Sequence, residues 1–163
     1  MAFRFLRFLV FVFATASTAW PQIVEIRRPW KNGDTIELNL EMPPVLTESH
    51  PLVEESRNQV ALKRGPIVYC LESTDLPADV RVEDVSIPKD IELTHRFEES
   101  LLHGVSVFEG DIQVRPRSDW HGKLYRPLRT IVDRKIRARF IPYYAWANRG
   151  ESEMSVWLPL AVR

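Results

Sequence analysis

The chain has 163 residues, of which 45% are hydrophobic and 27% charged, so it can bury a core without staples and is too apolar for disorder. Lys+Arg and Asp+Glu both number 22, and this balance leaves no overall basic field to attract nucleic acid. The single cysteine, Cys70, excludes an internal disulfide and any multi-cysteine zinc site within the chain.

In chain order, residues 1–19 read as a secretory signal. Arg4 and Arg7 supply the positive start, residues 8–14 a short apolar run, and Ala14, Ala16, Ser17 and Ala19 the small residues that signal peptidase accepts. The expected destination is the periplasm or the exterior. The competing reading is a segment of the fold itself or a misassigned gene start. No stretch reaches the eighteen or so apolar residues of an ordinary membrane span.

Residues 34–42 alternate, with Ile36, Leu38, Leu40 and Met42 on one side and Thr35, Glu37, Asn39 and Glu41 on the other. That is the period of a half-buried strand. With residues 23–26 before it and Lys31-Asn32-Gly33-Asp34 as the turn, it predicts a hairpin. Pro43-Pro44 ends the strand, and residues 47–58 form a polar connection. Two apolar bursts follow at 60–62 and 67–71, split by Lys63-Arg64-Gly65-Pro66. The second is apolar at consecutive positions and predicts a strand buried on both faces. Here Arg64, Gly65 and Pro66 shape the start of a strand, Gly65 through an unusual backbone angle and Pro66 through a fixed one.

Short β-like pieces follow at 80–85, 91–97, 104–108 and 111–114, then a polar loop at 115–122 that carries Trp120. Alternation resumes at 135–144 and again at 153–162, with Asn148-Arg149-Gly150-Glu151 as the turn between them. No window of twelve residues sustains helical spacing, so little or no helix is expected outside the signal-like segment. The pattern predicts an all-β fold, an antiparallel β-sandwich of jelly-roll type.

Several segments carry a resemblance. Arg28-Pro29-Trp30-Lys31-Asn32-Gly33-Asp34 precedes Leu38-Asn39-Leu40-Glu41-Met42, and then comes the stretch from Val60 through Arg64-Gly65-Pro66 to Glu72. Near the end stand Ile141-Pro142-Tyr143-Tyr144-Ala145-Trp146-Ala147-Asn148-Arg149 and Met154-Ser155-Val156-Trp157. In this order they resemble the C-terminal part of the β-L-arabinofuranosidase family, glycoside hydrolase family 127, over residues 23–160. The resemblance implies that residues 20–58 are a hairpin and linker closing a preceding β-sandwich portion, and that residues 59–163 form a C-terminal β-sandwich domain. It also implies a parent enzyme whose chemistry lies in an N-terminal helical barrel, where a cysteine nucleophile is held by a zinc ion. No catalytic or zinc-binding residue of the family maps onto this chain, so neither cofactor nor metal is expected here. The expected partner is the catalytic barrel of a related or split protein, with arabinose-containing glycans as a second class of ligand. A free-standing carbohydrate-binding module and a truncated gene fragment are the alternatives.

Individual candidates weigh against an active site. Cys70 sits in an apolar run where an inert buried thiol is expected. Glu72 and Asp75 could form the carboxylate pair of a glycosidase, which needs a separation of roughly 5 to 9.5 Å, but turn capping is the more ordinary role. His50, His95, His103 and His121 have no ligand spacing. The most site-like group is Tyr143, Tyr144 and Trp146 with Asn148, Arg149 and the later Trp157. It would serve as a sugar or interdomain contact, with core or seam packing favoured over a sugar platform.

Overall fold

The two apolar bursts become the arms of one hairpin. Strand β2 (Gln59–Arg64) and strand β3 (Ile67–Glu72) pair antiparallel with Arg64 opposite Ile67, leaving Gly65 and Pro66 as a two-residue turn. Gly65 takes φ +54, the sign that a tight hairpin asks of its first central residue, and the Pro66 ring fixes the angle that follows. The structure is a computed structural model and describes residues 25–117, 122–127 and 133–161.

The remaining strands are β1 (Pro44–Glu48), β4 (Val85–Pro88), β5 (Thr94–Glu98), β6 (Val105–Val114), β7 (Arg134–Pro142), β8 (Met154–Ser155) and β9 (Trp157–Ala161). Four single turns of 3-10 helix punctuate them, and the described residues contain no α-helix. The two pieces expected at 104–108 and 111–114 are one ten-residue strand, β6. Gly110 lies mid-strand because Ile91, Leu93 and the Glu92 carbonyl occupy the space that a side chain would need. Pro44 opens β1, an edge strand in which the missing N–H costs no ladder bond.

The expected sandwich is corrected by the pairing. In order, β2, β9, β4, β6, β7 and β3 are each bonded to the next, and β3 is bonded back to β2, so six strands close into a barrel. The β4–β9 contact is parallel (Ile87 opposite Leu160) and the other ring contacts are antiparallel. Strands β1, β5 and β8 flank the ring on β2, β6 and β3. Alternation in the sequence shows that each strand has a buried face; it does not show whether the outer edges of the sheet meet. They meet here, so one lumen replaces the space between two sheets.

All six ring strands line that lumen, with Val60 and Leu62, Tyr69 and Leu71, Val85 and Ile87, Phe108 and Ile112, Ala138 and Phe140, and Leu158. Tyr69 and Phe108 meet edge to face at 5.0 Å. A second apolar cluster lies on the outer side, where Cys70, Val105, Val107, Ile141 and Ala145 are covered by Leu101, Leu102, Met154 and Val156. The consecutive apolar run at 67–71 thus serves the lumen with one face of β3 and this outer cluster with the other.

The chain divides into two units, Met1–Met42 and Pro43–Arg163. In the first, the Asn32-Gly33 turn forms: the Asp34 N–H donates to the Lys31 carbonyl at 3.0 Å and the Lys31 N–H donates to the Asp34 carboxylate at 2.9 Å. Residues 34–42 are not a regular strand; a single bridge residue, Glu37, is their only β feature, and Ile36, Leu38 and Leu40 are exposed. Their alternation is that of a strand, but a strand needs a ladder partner to persist. The signal-like segment, residues 23 and 24 of the expected hairpin, Trp120 and His121 lie outside the described residues.

Phe108 is completely buried, and it faces Phe140 across the β6–β7 ladder. Phe108→Ala is therefore expected to cost about 3–5 kcal/mol of unfolding free energy in a urea titration. A loss below about 1 kcal/mol, the ordinary effect of a point substitution, would contradict an enclosed lumen.

Candidate functional site

Strand register sorts the outer face of β6, β7 and β3 into two halves. Val107 lies opposite Phe97's neighbour Arg96 and shares the outer cluster with Ile141 and Cys70, which form the apolar half. One step along, Glu109 is opposite Arg139, and the next outward pair is Asp111 and Arg137. Glu109, Arg137 and Arg139 of this half floor an open cleft of about 460 Å³ walled by Thr74, Asp75 and Arg149. Its charges are cross-paired. Arg96 donates to Glu109 at 2.6 Å, Arg137 lies 3.7 Å from Glu109 and 3.6 Å from Asp111, and Arg139 lies 3.8 Å from both Glu109 and Asp75.

At the end of β3 the pairing goes inside. Glu72 has 0% exposure, and its carboxylate collects donors from across the sequence. The Ala147 N–H donates at 3.0 Å, Ser152 Oγ at 3.2 Å, Thr74 Oγ1 at 3.3 Å and Arg149 Nε at 3.0 Å, with a second Arg149 nitrogen also in contact. The same guanidinium reaches Asp75 through NH1 at 2.9 Å and through NH2. Burial works to raise the Glu72 carboxyl, but the Ala147 N–H, Arg149 and Ser152 together overcome it and hold the group below its ordinary range. Hydrogen bonding to Asp75, against the opposing effect of burial, and then to Glu72 holds Arg149 firmly protonated.

The residues singled out in the sequence separate. Tyr143, Tyr144 and Trp146 lie on and just after the 3-10 turn that follows β7, and all three are exposed. Tyr143 and Trp146 stack at 6.1 Å with 22° between planes. Asn148 instead turns back, its Nδ2 donating to the Ala145 and Trp146 carbonyls at 3.1 Å. Arg149 points inward, and Trp157 is half-buried on β9. The Arg64 guanidinium lies 3.3 Å from His95 Nε2. His50 accepts the Leu52 N–H, and His103 lies in a loop with φ +65. Sequence reasoning missed Arg137, Arg139 and Glu109. The signal available was the charged outward register of β7 against β6, which needs the pairing to be read.

A glycosidase acid needs a carboxyl with a raised pKa beside an accessible bond. Glu72 is the reverse: buried, depressed and fully donated to, while its neighbour Asp75 is tied to the same arginine. Burial, with the nearby Glu72 charge, pushes the Cys70 thiol up to about 12, so it carries no thiolate at neutral pH. Among the described residues no three or more His, Cys, Asp and Glu side chains are grouped so that they could hold a metal ion.

Residues 44–159 match the model of the glycoside hydrolase family 127 C-terminal domain. The chain belongs to this family. A non-reducing end β-L-arabinofuranosidase of Bifidobacterium longum subsp. longum is 34% identical over 135 residues, which are 77% of this chain and 20% of that protein. The solved GH127 β-L-arabinofuranosidase from Geobacillus stearothermophilus T6 is 42% identical with a TM-score of 0.68, matching 74% of this chain and 19% of that one. A solved GH127 β-arabinofuranosidase is 30% identical with a TM-score of 0.62, matching 80% of this chain and 22% of that one. The GH127 chain thus spans about a fifth of the length of these relatives.

The depressed Glu72 pKa fixes the sign of one pH effect in this domain. Its contribution to stability is complete above the unfolded carboxyl value of 4.5 and is lost as pH falls through the lower folded value. Glu72→Gln should unfold at lower urea than wild type at about pH 7, and the gap should narrow at about pH 3.5. A gap unchanged between the two would contradict an ionised, structurally paired Glu72.

Proposed function

We propose that the chain is a non-catalytic accessory domain of a glycoside hydrolase family 127 protein, seated against a catalytic part carried elsewhere. The observation that carries this reading is the state of Glu72: the one fully buried carboxylate among the described residues is consumed in holding a loop and has a pKa displaced away from acid catalysis. Two exposed features support a partner. Tyr143, Tyr144 and Trp146 form an outward aromatic group, and Ile36, Leu38 and Leu40 an outward apolar series. The relatives, named as arabinofuranosidases, carry about four fifths of their length outside the matched stretch, which supplies room for the chemistry and for that partner.

The seam reading is favoured over a sugar platform by the polar groups beside the aromatics. A saccharide stacked on a ring needs hydroxyl partners nearby, yet Asn148 and Arg149 both turn inward to the protein. Incubated alone with β-L-arabinofuranosides, the folded chain should release no arabinose. Clear turnover by the purified chain, abolished by a substitution within it, would overturn the proposal.

A further inference from the structure

The outward positions of β7 carry a row of cations, Lys135, Arg137 and Arg139, opposite Gln113, Asp111 and Glu109 of β6. A cross-strand row of this kind ordinarily closes on itself, each cation bonded to the acid it faces. Here the acids are bonded elsewhere. Glu109 takes its close bond from Arg96 at 2.6 Å, and Asp75 is held by Arg149 at 2.9 Å. Arg139 is left 3.8 Å from either carboxylate, and among the described residues its Nε is buried without a hydrogen-bond partner. Arg137 stands 3.7 Å from Glu109 and 3.6 Å from Asp111, and within those residues it donates to Thr94 Oγ1 at 3.3 Å. Coulomb attraction at such distances holds both guanidiniums in place without using up their N–H donors. Both forks therefore keep donors for a further acceptor.

Both arginines open onto the cleft of about 460 Å³, a size within the ordinary range of small-ligand sites. Its charges define the occupant. Arg137, Arg139 and Arg149 line it against Asp75 and Glu109, a surplus of one positive charge. A ligand with one negative charge balances that surplus, whereas a dianionic phosphate would bring a second charge up against the two carboxylates. The planar fork of a guanidinium matches the two oxygens of a carboxylate, and Asp75 and Glu109 can accept from hydroxyl groups beside it. We infer that this cleft binds a small hydroxylated monocarboxylate, with Arg139 taking the carboxylate and Arg137 closing on it from the next outward position of β7. Two sources supply that chemistry, the uronic-acid unit of a glycan and a free hydroxy acid. The site needs only the cleft and does not rest on the accessory-domain reading.

The test follows the Nε–Hε resonances of Arg137 and Arg139 in the full chain by NMR. D-glucuronate, lactate, glucose or inorganic phosphate is added at constant ionic strength. At least one of the two acids should shift both resonances saturably in the millimolar range, and whichever binds tighter names the source. Arg139→Ala, read at the Arg137 resonance, should weaken that binding about tenfold or more. Lys135→Ala, on the same row but lining only the smaller neighbouring cleft, should leave it unchanged. If Arg139→Ala fails to fold, Arg137→Ala is read at the Arg139 resonance in its place. Saturation by neither acid, or binding by the arginine variant as tight as wild type, would overturn the site. Glucose or phosphate binding as tightly as the better acid would overturn the choice of a monocarboxylate. An equal loss from Lys135→Ala would mean diffuse attraction to the cationic row, and would overturn the cleft as its seat.

Discussion

Closure of the ring is the constraint on which the rest depends. Two contacts complete it: the two-residue seam of β2 on β3 and the parallel contact of β4 on β9. Without them the chain would hold an open, twisted sheet with one wet face, and Tyr69, Phe108 and Phe140 would lack an opposite wall. With them, side chains from six strands fill one lumen. Closure also gives β3 two distinct faces, one feeding the lumen through Tyr69 and Leu71, the other delivering Cys70 to the outer cluster and Glu72 to the loop.

From that placement the electrostatics follow. A carboxylate at the end of a strand would ordinarily be solvated. Here the return of residues 147–152 over the end of β3 buries it and must therefore supply donors, which Arg149, Ser152 and the Ala147 N–H do. The same return turns Tyr143, Tyr144 and Trp146 outward. Charge and surface are thus two sides of one loop: Glu72 and Arg149 fix its backbone from within, and Tyr143, Tyr144 and Trp146 face outward.

The sequence made the strand content legible wherever burial repeats at short range. The break between the two apolar bursts at Lys63-Arg64-Gly65-Pro66 and the two-faced burial of residues 67–71 needed only local composition and apolar pattern, whereas the pairing that makes Gly65-Pro66 a hairpin turn did not show. The alternation at 135–144 placed β7 to within two residues of its observed ends. Closure was not legible, because it depends on which edges meet, and edges carry no local signature. The segment 34–42 shows the converse: a clear strand pattern that the described fold leaves without a ladder. In the candidate site, the sequence groups Tyr143, Tyr144 and Trp146 with Asn148, Arg149 and Trp157, but it cannot show that Arg149 belongs to Glu72, more than seventy residues earlier. Glu72 and Asp75 lie three residues apart in the sequence, and the structure joins them through that arginine.

Family membership sets where the chemistry of the relatives is to be sought, and the barrel explains why this portion can fold around its own core. The direct test of that account is the pattern of proton–proton contacts in solution across the two closing seams. Cross-peaks between Ile87 and Leu160, together with those between Lys63 and Val68, are the result expected of a closed six-strand barrel. Absence of either set in the folded chain would mean an open sheet, and would contradict the account at its foundation.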